Sequence, residues 1–393
     1  MKILVLAPQP FMTQRGTPIA VHMLLETLSA RGDESDVICF PEGDDVDIPG
    51  CRVFRVAALP GLKNFRPGFS VKKLLADTLM FPMVAARMLR GNYDLVIAVE
   101  EAAFMAMALK PIFGVPYIAD IDSSLPEQLD DKFALPGWLR LCFEGAEAAV
   151  MRRADGAITC CQALEKIVRD RAPGIPVRTL EDVTMLSGED SQPAAECAFD
   201  KPVVMYVGNL EPYQGVDLLM EAVAVLDPER HPMRLVVIGG TGEDVAAAER
   251  RAVDLGIAAH ASFLGPRPVS ELGHYLSAAA VVVSPRRQGR NTPMKIYSYL
   301  DSGRPLLATR LPTHTQVLDD RIACLVEPTP EAMAAGLRDL LGDPELSGRL
   351  VTAAKERVAA EFTPDAYSRK LRAFLETEIE PRLPRSPRPT VAQ

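Results

Sequence analysis

Short apolar runs alternate with amphipathic stretches along the first half of the chain. The stretch 17–31, for example, places apolar residues at helical spacing and is followed by Gly32. An alternation of buried strands with helices is typical of a parallel, doubly wound sheet. We therefore predict an αβ domain over residues 1–185. Its predicted strands are residues 2–7, 35–40, 52–56, 95–99, 117–120 and 156–160.

The alternation weakens in a polar, turn-rich stretch and then starts again. Residues 186–201 contain that stretch and are the predicted interdomain linker. A second αβ domain is predicted over residues 202–363, followed by a closing helix over 364–380 that packs back on the first domain. The Pro- and Arg-rich tail 381–393 is predicted to be disordered. The predicted strands of the second domain are residues 203–207, 235–238, 261–264 and 281–284, and its predicted helices are 216–226, 245–255 and 270–278.

Composition and charge narrow the class of protein. A chain of 393 residues, 48% of them hydrophobic and 24% charged, is typical of a two-domain globular protein. A net charge of −9 argues against a general nucleic-acid-binding surface. Seven scattered cysteines without a CxxC pair, and five histidines without HxxxH spacing, favour reduced thiols and no metal site. Reduced thiols favour a cytoplasmic protein, and we expect no cofactor. No transmembrane helix is expected either, because no apolar run reaches the ~18 residues that one needs.

The segment 284–297 carries the strongest chemical signal. It follows a predicted buried strand and leads into a predicted helix over residues 293–302. A helix start offers unpaired N–H groups to an anion, and Pro293 suits a first turn that Asn291 or Thr292 would cap. We therefore predict a phosphate or diphosphate site. The cations of this segment are Arg286, Arg287, Arg290 and Lys295.

Carboxylates follow two predicted strands of the first domain. Glu100 and Glu101 come after the strand 95–99, and Asp120 and Asp122 lie at the end of the next strand along the chain. Because ligands of open αβ sheets bind at the carboxyl ends of strands, these side chains could contact acceptor hydroxyls or transfer protons. The alternative is helix capping, since Asp, as at Asp122, is a good N-cap residue.

Several motifs resemble those of GT-B fold glycosyltransferases of the large retaining family numbered four, also called glycosyl transferases group 1. The resemblance covers nearly the whole chain. In the first domain it rests on residues 10–32, where Gly16 and Thr17 replace the usual double glycine. In the second domain it rests on residues 206–211, 214–219, 236–240, 263–265 and 289–309.

The second domain departs from the pattern of that family at two places. Asn209 and Gln214 stand where members usually carry Arg and Lys in the diphosphate loop. Arg290 and Ser298 fall on the two glutamates of the E-x7-E element. The chain therefore resembles a divergent branch, in which cations of the segment 284–297 supply the charge that the other loop lacks.

The resemblance implies two Rossmann-like, doubly wound parallel-sheet domains facing a cleft, with the donor against the second domain and the acceptor against the first. It implies that a sugar moves, with retention and without a metal, from a nucleotide-diphosphate sugar to a lipid, saccharide or small-molecule acceptor. We assign catalysis to Glu101, Asp122, Arg290 and Lys295. Donor binding is assigned to Gly16, Thr17, Gly208, Asn209, Glu211, Gln214, Arg286, Asn291, Thr292, Pro293, Met294 and Ser298.

Two alternatives remain open. A nucleotide-sugar epimerase shares the fold, but it would need acid–base groups that five scattered histidines support poorly. A nucleotide- or saccharide-binding protein that has lost catalysis would explain the missing glutamate pair.

Residues 61–90 form a second local signal, because basic residues are interleaved with large apolar ones. Lys72 and Lys73 belong to this stretch. An acidic protein with such a patch could dock on anionic lipid at the inner face of a membrane. The alternative is an ordinary core helix whose lysines extend their charged ends to water.

Overall fold

The structure is a computed structural model that describes residues 1–11, 16–44, 47–58, 71–126, 129, 136–186 and 191–384. Three segments that carry predictions lie outside the described residues. They are the basic residues of 61–70, residues 187–190 of the predicted linker and the tail from 385 onward.

The chain forms two compact units. Unit 1 comprises Met1–Glu181 together with the chain from Tyr367 onward, and unit 2 comprises Asp182–Ala366. The predicted domain bounds at 185 and 202 stay a prediction.

Unit 1 is built on a parallel sheet with helices between successive strands. Its elements before Glu181 are β1 (Lys2–Ala7), α1 (Gly16–Ala30), β2 (Glu34–Cys39), β3 (Cys51–Arg55), α2 (Val71–Arg90), β4 (Leu95–Val99), α3 (Ala102–Phe113), β5 (Tyr117–Ile121), α4 (Gly137–Arg153), β6 (Gly156–Thr159), α5 (Gln162–Arg171) and β7 (Val177–Thr179). β4 is apolar throughout, and β1 is apolar after Lys2, because helices cover both faces of the sheet.

The strands of this sheet lie in the order β3-β2-β1-β4-β5-β6-β7. The chain moves outward in one direction from β1 to β3 and then returns to place β4 on the other side of β1. A topological switch point therefore lies between β1 and β4. Ligands of doubly wound sheets bind outside the carboxyl ends of the strands at such a point.

Unit 2 repeats this plan with a second parallel sheet. Its elements are β8 (Val203–Val207), α6 (Val216–Leu226), β9 (Arg234–Ile238), α7 (Gly242–Asp254), β10 (Ala261–Gly265), α8 (Leu272–Ala278), β11 (Val281–Ser284), α9 (Lys295–Asp301), β12 (Leu306–Thr309), α10 (Pro312–Thr315), β13 (Cys324–Val326), α11 (Pro330–Gly342) and α12 (Pro344–Glu361). The strand order is β10-β9-β8-β11-β12-β13, so the switch point lies between β8 and β11.

The end of the chain returns to unit 1. Helix α13 (Pro364–Phe374) continues as a π-helical turn over Leu375–Ile379 and a 3₁₀ turn over Glu380–Arg382. Phe374, Leu375 and Ile379 are fully buried. A Cβ atom at Gly156 in β6 would lie 2.5 Å from the Ile379 side chain, so the glycine makes room for this segment.

The predicted α/β class with doubly wound parallel sheets is confirmed. Three strands escaped prediction, namely β7, β12 and β13. β7 and β13 are edge strands of three residues, too short to show a pattern of their own, and the apolar residues 306–309 of β12 were used only as a family motif. No described helix is long and apolar enough to cross a bilayer.

Candidate functional site

The candidate anion site of unit 2 begins where β8 ends, at the switch point. Gly208 has a φ of 153°, and its N–H donates to the carbonyl of Ile238. A Cβ atom at this position would lie 2.9 Å from Lys295 Nζ and 2.9 Å from Tyr206 Oη. The turn is therefore open to a close approach only because residue 208 is glycine.

Two cations converge beside this turn. Lys295 Nζ lies 3.8 Å from the centroid of the Tyr206 ring and 3.4 Å from Gln214 Oε1. Arg286 Nε lies 3.5 Å from the same Gln214 oxygen, and its guanidinium lies 5.3 Å from the centroid of the Tyr213 ring. A buried amide oxygen thus sits between two like charges.

These cations have no carboxylate partner among the described residues. Burial and the charge of Arg286 hold the pKa of Lys295 well below its usual value. Burial likewise lowers the pKa of Arg286. Uncompensated positive charge in a half-buried place costs free energy, and an anion would relieve that cost. The arrangement can bind a phosphate group.

The expected helix start differs from the structure. α9 begins at Lys295 rather than at residue 293, it has seven residues, and no side chain caps it. Asn291 and Thr292 are therefore not its caps. Instead, the Thr292 hydroxyl is buried without a hydrogen-bond partner in the described part of the chain. Side-chain cations, more than a helix dipole, make this site positive.

The other predicted donor-site residues of unit 2 differ in their exposure to solvent. Pro293 and Met294 lie in the chain between Thr292 and Lys295. Pro293 is buried, and Met294 is half-buried. Asn209 and Glu211 are exposed, and the Asn209 carbonyl accepts a hydrogen bond from Tyr206 Oη at 2.6 Å. Arg290 is exposed and its carbonyl accepts from Gln316 at 2.6 Å. The side chains of these three residues are exposed, and their predicted part in the donor site stays a prediction.

Arg287 turns away from the two converging cations. Its Nη2 lies 3.1 Å from a carboxylate oxygen of Glu221 on α6, and its N–H donates to the carbonyl of Tyr213. Unlike Lys295 and Arg286, Arg287 is therefore paired with a carboxylate, that of Glu221 on the neighbouring helix.

In unit 1, the predicted carboxylates gather at the other switch point. Lys73 of α2 lies 2.6 Å from Glu101 Oε1 and 3.4 Å from Glu100 Oε2. Glu100 follows β4 with a φ of 48°, a strained value for a residue with a side chain. Its other oxygen accepts from Ser123 Oγ at 3.1 Å. The sharp turn at Glu100 places two successive carboxylates on one lysine.

The acidic groups of this cluster have displaced pKa values. Burial and Glu100 raise the pKa of Asp122 to about 7, although a hydrogen bond from Thr17 opposes the shift. Burial and the nearby carboxylates raise the pKa of Glu101 and that of Asp120. Burial and Glu101 raise the pKa of Asp77, on α2, to about 7. Groups that titrate near neutral pH can accept and donate protons.

Lys73 behaves differently from these acids. Burial alone would lower its pKa, but Glu100 and Glu101 outweigh burial and raise it above the usual value. Lys73 is therefore a charged partner of the cluster, and the predicted membrane surface over residues 61–90 stays a prediction. Lys72, its neighbour, is exposed.

A small cavity adjoins the acidic cluster. Its volume is about 50 Å³, and its walls combine carboxylates with apolar side chains. The lining residues include Glu100, Glu101, Phe104, Ser123, Glu147 and Met151. Glu147 is itself engaged, since it accepts hydrogen bonds from Ser124 and from the N–H of Leu125. Among the residues that the structure describes, no group of His, Cys, Asp and Glu is arranged to hold a metal ion.

Comparisons with known proteins match both units. A family model described as glycosyl transferases group 1 matches residues 190–357, and one described as a glycosyl transferase 4-like domain matches residues 15–180. The chain belongs to the GT-B glycosyltransferases of family four.

Individual relatives of this family-four chain agree with that assignment. A D-inositol 3-phosphate glycosyltransferase of Corynebacterium diphtheriae is 32% identical over 210 residues, which are 51% of this chain and 48% of the relative. The chain thus spans about half the length of the curated relatives it matches.

Solved structures share the fold over nearly the whole chain. A sucrose-phosphate synthase of Thermosynechococcus elongatus has a TM-score of 0.78 at 21% identity, covering 96% of this chain and 98% of that one. The Anabaena protein Alr3699/HepE, in complex with UDP, has a TM-score of 0.71 at 17% identity, covering 96% of this chain and 100% of that one.

Two positions at which the sequence departs from the expected family pattern, Gln214 and Ser298, are described by the structure. Gln214, where the family pattern predicts a lysine, accepts a hydrogen bond from Lys295, so a lysine from the start of α9 reaches this position. Ser298, at the second glutamate, is fully buried, and its hydroxyl accepts from the N–H of Met185 at 3.0 Å. This bond holds the chain that enters unit 2 onto α9, and the predicted part of Ser298 in donor binding stays a prediction.

Gly16 and Thr17 lie at the start of α1 in unit 1. The Thr17 hydroxyl donates a hydrogen bond to the Asp122 carboxylate, and this bond lowers the pKa of that carboxyl. Their predicted part in donor binding stays a prediction.

Several residues of the site were not anticipated from the sequence. The Tyr206 ring and the hydroxyls of Thr309 and Thr313 contact the predicted cations or their loop, and His314 contacts Thr309. Tyr299 Oη accepts from the N–H of Val207 at 2.7 Å and so ties α9 to β8. A polar residue that ends an apolar strand, as Thr309 ends β12, was the one available signal.

Proposed function

We propose that this protein transfers a sugar from a nucleotide-diphosphate sugar to a hydroxyl-bearing acceptor. The observation that carries the proposal is the pair of cations, Lys295 and Arg286, beside the glycine turn at Gly208 with no carboxylate partner in the described chain. A leaving nucleoside diphosphate gains negative charge as the glycosidic bond breaks, and fixed cations stabilise that charge.

The donor side belongs to unit 2 in this proposal. Lys295 and the Nη2 edge of Arg286 would bind the diphosphate, and the unpartnered Thr292 hydroxyl would donate to one of its oxygens. Because two side-chain cations already supply positive charge, we propose that the reaction proceeds without a metal. Arg290 would reach the ligand from the exposed rim.

The names of related proteins support the two substrates. One solved neighbour, Alr3699/HepE, is described in complex with UDP-glucose. The curated relatives are named D-inositol 3-phosphate glycosyltransferases, and one of Mycolicibacterium smegmatis is named a GDP-mannose-dependent phosphatidylinositol monomannoside mannosyltransferase. A nucleotide-sugar donor with a polyol, saccharide or glycolipid acceptor is consistent with both groups of names.

The acceptor side belongs to unit 1. Glu101 and Asp122 would orient the acceptor hydroxyl and take up its proton, since burial raises the pKa of both carboxyls and brings that of Asp122 to about 7. Transfer with retention of the anomeric configuration is part of this proposal, and it rests on the family resemblance.

Calorimetry with UDP, GDP and ADP tests the donor site. One of the three should bind to the purified protein, and Lys295→Met should weaken that binding about 10–100-fold, the value of a hydrogen bond between charged groups. Lys201→Met is the matched control. Lys201 is exposed and precedes the amino-terminal end of β8, whereas the predicted donor site lies at the carboxyl-terminal end of that strand. Equal affinities of the two variants would remove the diphosphate from this place.

A binding protein without catalysis is the second candidate, favoured by the serine at the second glutamate position. The two candidates differ in turnover. A transferase should release free nucleoside diphosphate from its donor, slowly with water and faster with an acceptor, whereas a binding protein should return the donor intact.

The exposed face of α2 supports a proposed contact with an anionic membrane at the cytoplasmic side. Ala76, Met80, Val84 and Met88 of α2 are buried, whereas Leu74, Leu75, Phe81 and Leu89 are exposed on other sides of the same helix. An amphipathic surface of exposed apolar side chains with a flanking lysine, Lys72, is typical of interfacial binding. The acceptor in that case would be a lipid.

A further inference from the structure

The loop that carries Arg286 is fastened to a second segment of unit 2. This segment runs from Thr309, the last residue of β12, to His314 in α10. Thr309, Thr313 and His314 are fully buried. Polar groups that are buried completely must find partners inside the protein, and here most of the partners belong to the loop after β11.

Thr313 links both ends of that loop. Its hydroxyl accepts from Arg286 Nη1 at 2.9 Å and donates to the carbonyl of Asn291 at 2.5 Å. Arg286 Nη1 also donates to the Asn291 carbonyl at 3.0 Å. The three groups form a closed triangle of hydrogen bonds, which fixes one edge of the guanidinium.

Thr309 and His314 hold the base of the loop. The Thr309 hydroxyl donates to the backbone carbonyl of Arg286 at 2.7 Å. His314 Nδ1 donates to the Thr309 carbonyl at 2.7 Å, and its Nε2 lies 2.9 Å from Ser284 Oγ. Burial lowers the pKa of His314 to about 3, so the ring is neutral and Nε2 accepts from the serine.

We propose that Thr313 is a positioning residue for Arg286, one that presets its guanidinium for the diphosphate before the ligand arrives. The inference rests on the proposed function. Nη1 is committed to the loop, whereas Nη2 has no hydrogen-bond partner among the described residues. The free edge is therefore held in place for an anion, and the ligand need not order a flexible side chain.

Gly289 fits the same scheme. Its φ is 132°, and a Cβ atom there would lie 2.9 Å from Arg286 Nη1 and 3.4 Å from Thr313 Oγ1. A side chain at 289 would enter the hydrogen-bonded triangle, so the glycine allows the loop to close over it.

A double-mutant cycle tests the inference. Thr313→Val keeps the shape of the side chain and removes its hydroxyl, and Arg286→Ala removes the guanidinium. If Thr313 acts through Arg286, Thr313→Val weakens nucleoside-diphosphate affinity in the wild type but has little effect in the Arg286→Ala background, a coupling of about threefold or more. Thr313→Ser should restore affinity, and Thr352→Val, which removes an exposed hydroxyl on α12, should not change it.

The outcomes separate the two proposals. If the wild type binds a nucleoside diphosphate and the two substitutions act independently, or if Thr313→Val has no effect, the positioning role is overturned while the donor site stands. If the wild type binds none of UDP, GDP and ADP, the proposed function and this inference are overturned together. Should Thr313→Val not fold, Thr309→Val, which removes the bond to the Arg286 carbonyl, takes its place in the cycle.

Discussion

Lys295 Nζ lies 3.8 Å from the centroid of the Tyr206 ring, closer than it lies to a carboxylate of any described residue. The ring belongs to β8 and the lysine begins α9, so the contact joins the two sides of the switch point. An aromatic face attracts an ammonium group without neutralising it. The lysine is held in position while its charge remains available to a ligand.

This arrangement predicts proton uptake on ligand binding. Because the pKa of Lys295 is held below its usual value, an arriving diphosphate should raise it again. At pH 8.5, above the phosphate titration, calorimetry in buffers of different ionisation enthalpy should detect uptake of a fraction of a proton. Lys295→Met should abolish that uptake. Identical uptake in the variant would assign the proton to another group.

Gly208 provides a steric prediction. Gly208→Ala should abolish measurable nucleoside-diphosphate binding and lower the melting temperature, because its methyl group would press on Lys295 and Tyr206 in a backbone conformation that suits glycine. Gly348→Ala is the control, since nothing lies within 4 Å of its added Cβ atom in α12. That control should stabilise the protein by about 0.5–1 kcal/mol. Normal binding by Gly208→Ala would show that the ligand does not approach this turn.

Asp122 provides a prediction about rate. If Asp122 accepts the acceptor proton, kcat should rise with pH through the pKa of about 7 as the carboxylate forms. Asp122→Asn should lower kcat about 10²–10⁴-fold and remove that dependence. The pH profile of the variant distinguishes proton transfer from a positioning role. If Asp122 only orients the acceptor by hydrogen bonding, the rise of kcat with pH seen in the wild type should persist in Asp122→Asn.

Asp77 provides a prediction about stability. Its pKa is raised to about 7, from an ordinary value near 3.8, so the folded protein holds a proton that the unfolded chain has lost. The stabilisation from this proton is complete below about pH 4 and is lost as the pH rises through 7. Asp77→Asn imitates the protonated form.

The melting temperatures of wild type and Asp77→Asn should therefore be similar near pH 4 and diverge progressively as the pH rises to 8. The variant should then melt several degrees higher, because a shift of roughly three pKa units corresponds to at most about 4 kcal/mol, and 1 kcal/mol moves the melting temperature of a domain of this size by about 2–4 °C. A variant that melts lower at pH 8 would mean that attraction between Asp77 and Lys73 outweighs the burial of the carboxylate.

The exposed apolar face of α2 predicts vesicle binding. Sedimentation with anionic vesicles should fall when Leu74, Leu75 and Phe81 are all changed to serine, because each buried apolar side chain contributes roughly 1.5–3 kcal/mol at full burial. Val253→Ser is the control, since Val253 is an exposed apolar residue of α7 in unit 2. Equal sedimentation of triple variant and wild type would leave α2 without a membrane contact.

Much of the fold follows from apolar patterning, as three strands show. β1, β4 and β8 are continuous apolar runs with sharp ends, and their bounds were predicted to the residue. β7 alternates buried and half-exposed residues over only three positions, and its place in the sheet depends on pairing with β6. Long-range pairing of that kind leaves no local signal in the sequence.

The candidate site was less predictable, because its contacts join distant parts of the chain. Lys295 and Arg286 were noticed for their charge, but the ring of Tyr206 and the hydroxyl of Thr313 carry no sign of their partners. Lys73 was assigned to a basic surface because the sequence could not show that Glu100 and Glu101 surround it. Charge can be read from a sequence, whereas its neutralisation depends on the fold.

Unit 1 takes its last core residues, Phe374 and Ile379, from the far end of the chain, whereas unit 2 is one continuous stretch. A ribosome releases the chain from its N-terminus, and domains fold as units while they emerge. Unit 2, although later in the sequence, is therefore the first to have all its residues available. Until Ile379 emerges, the face of β6 at Gly156 lacks the side chain that covers it in the folded protein, and exposed apolar surface of that kind makes a nascent chain prone to aggregation.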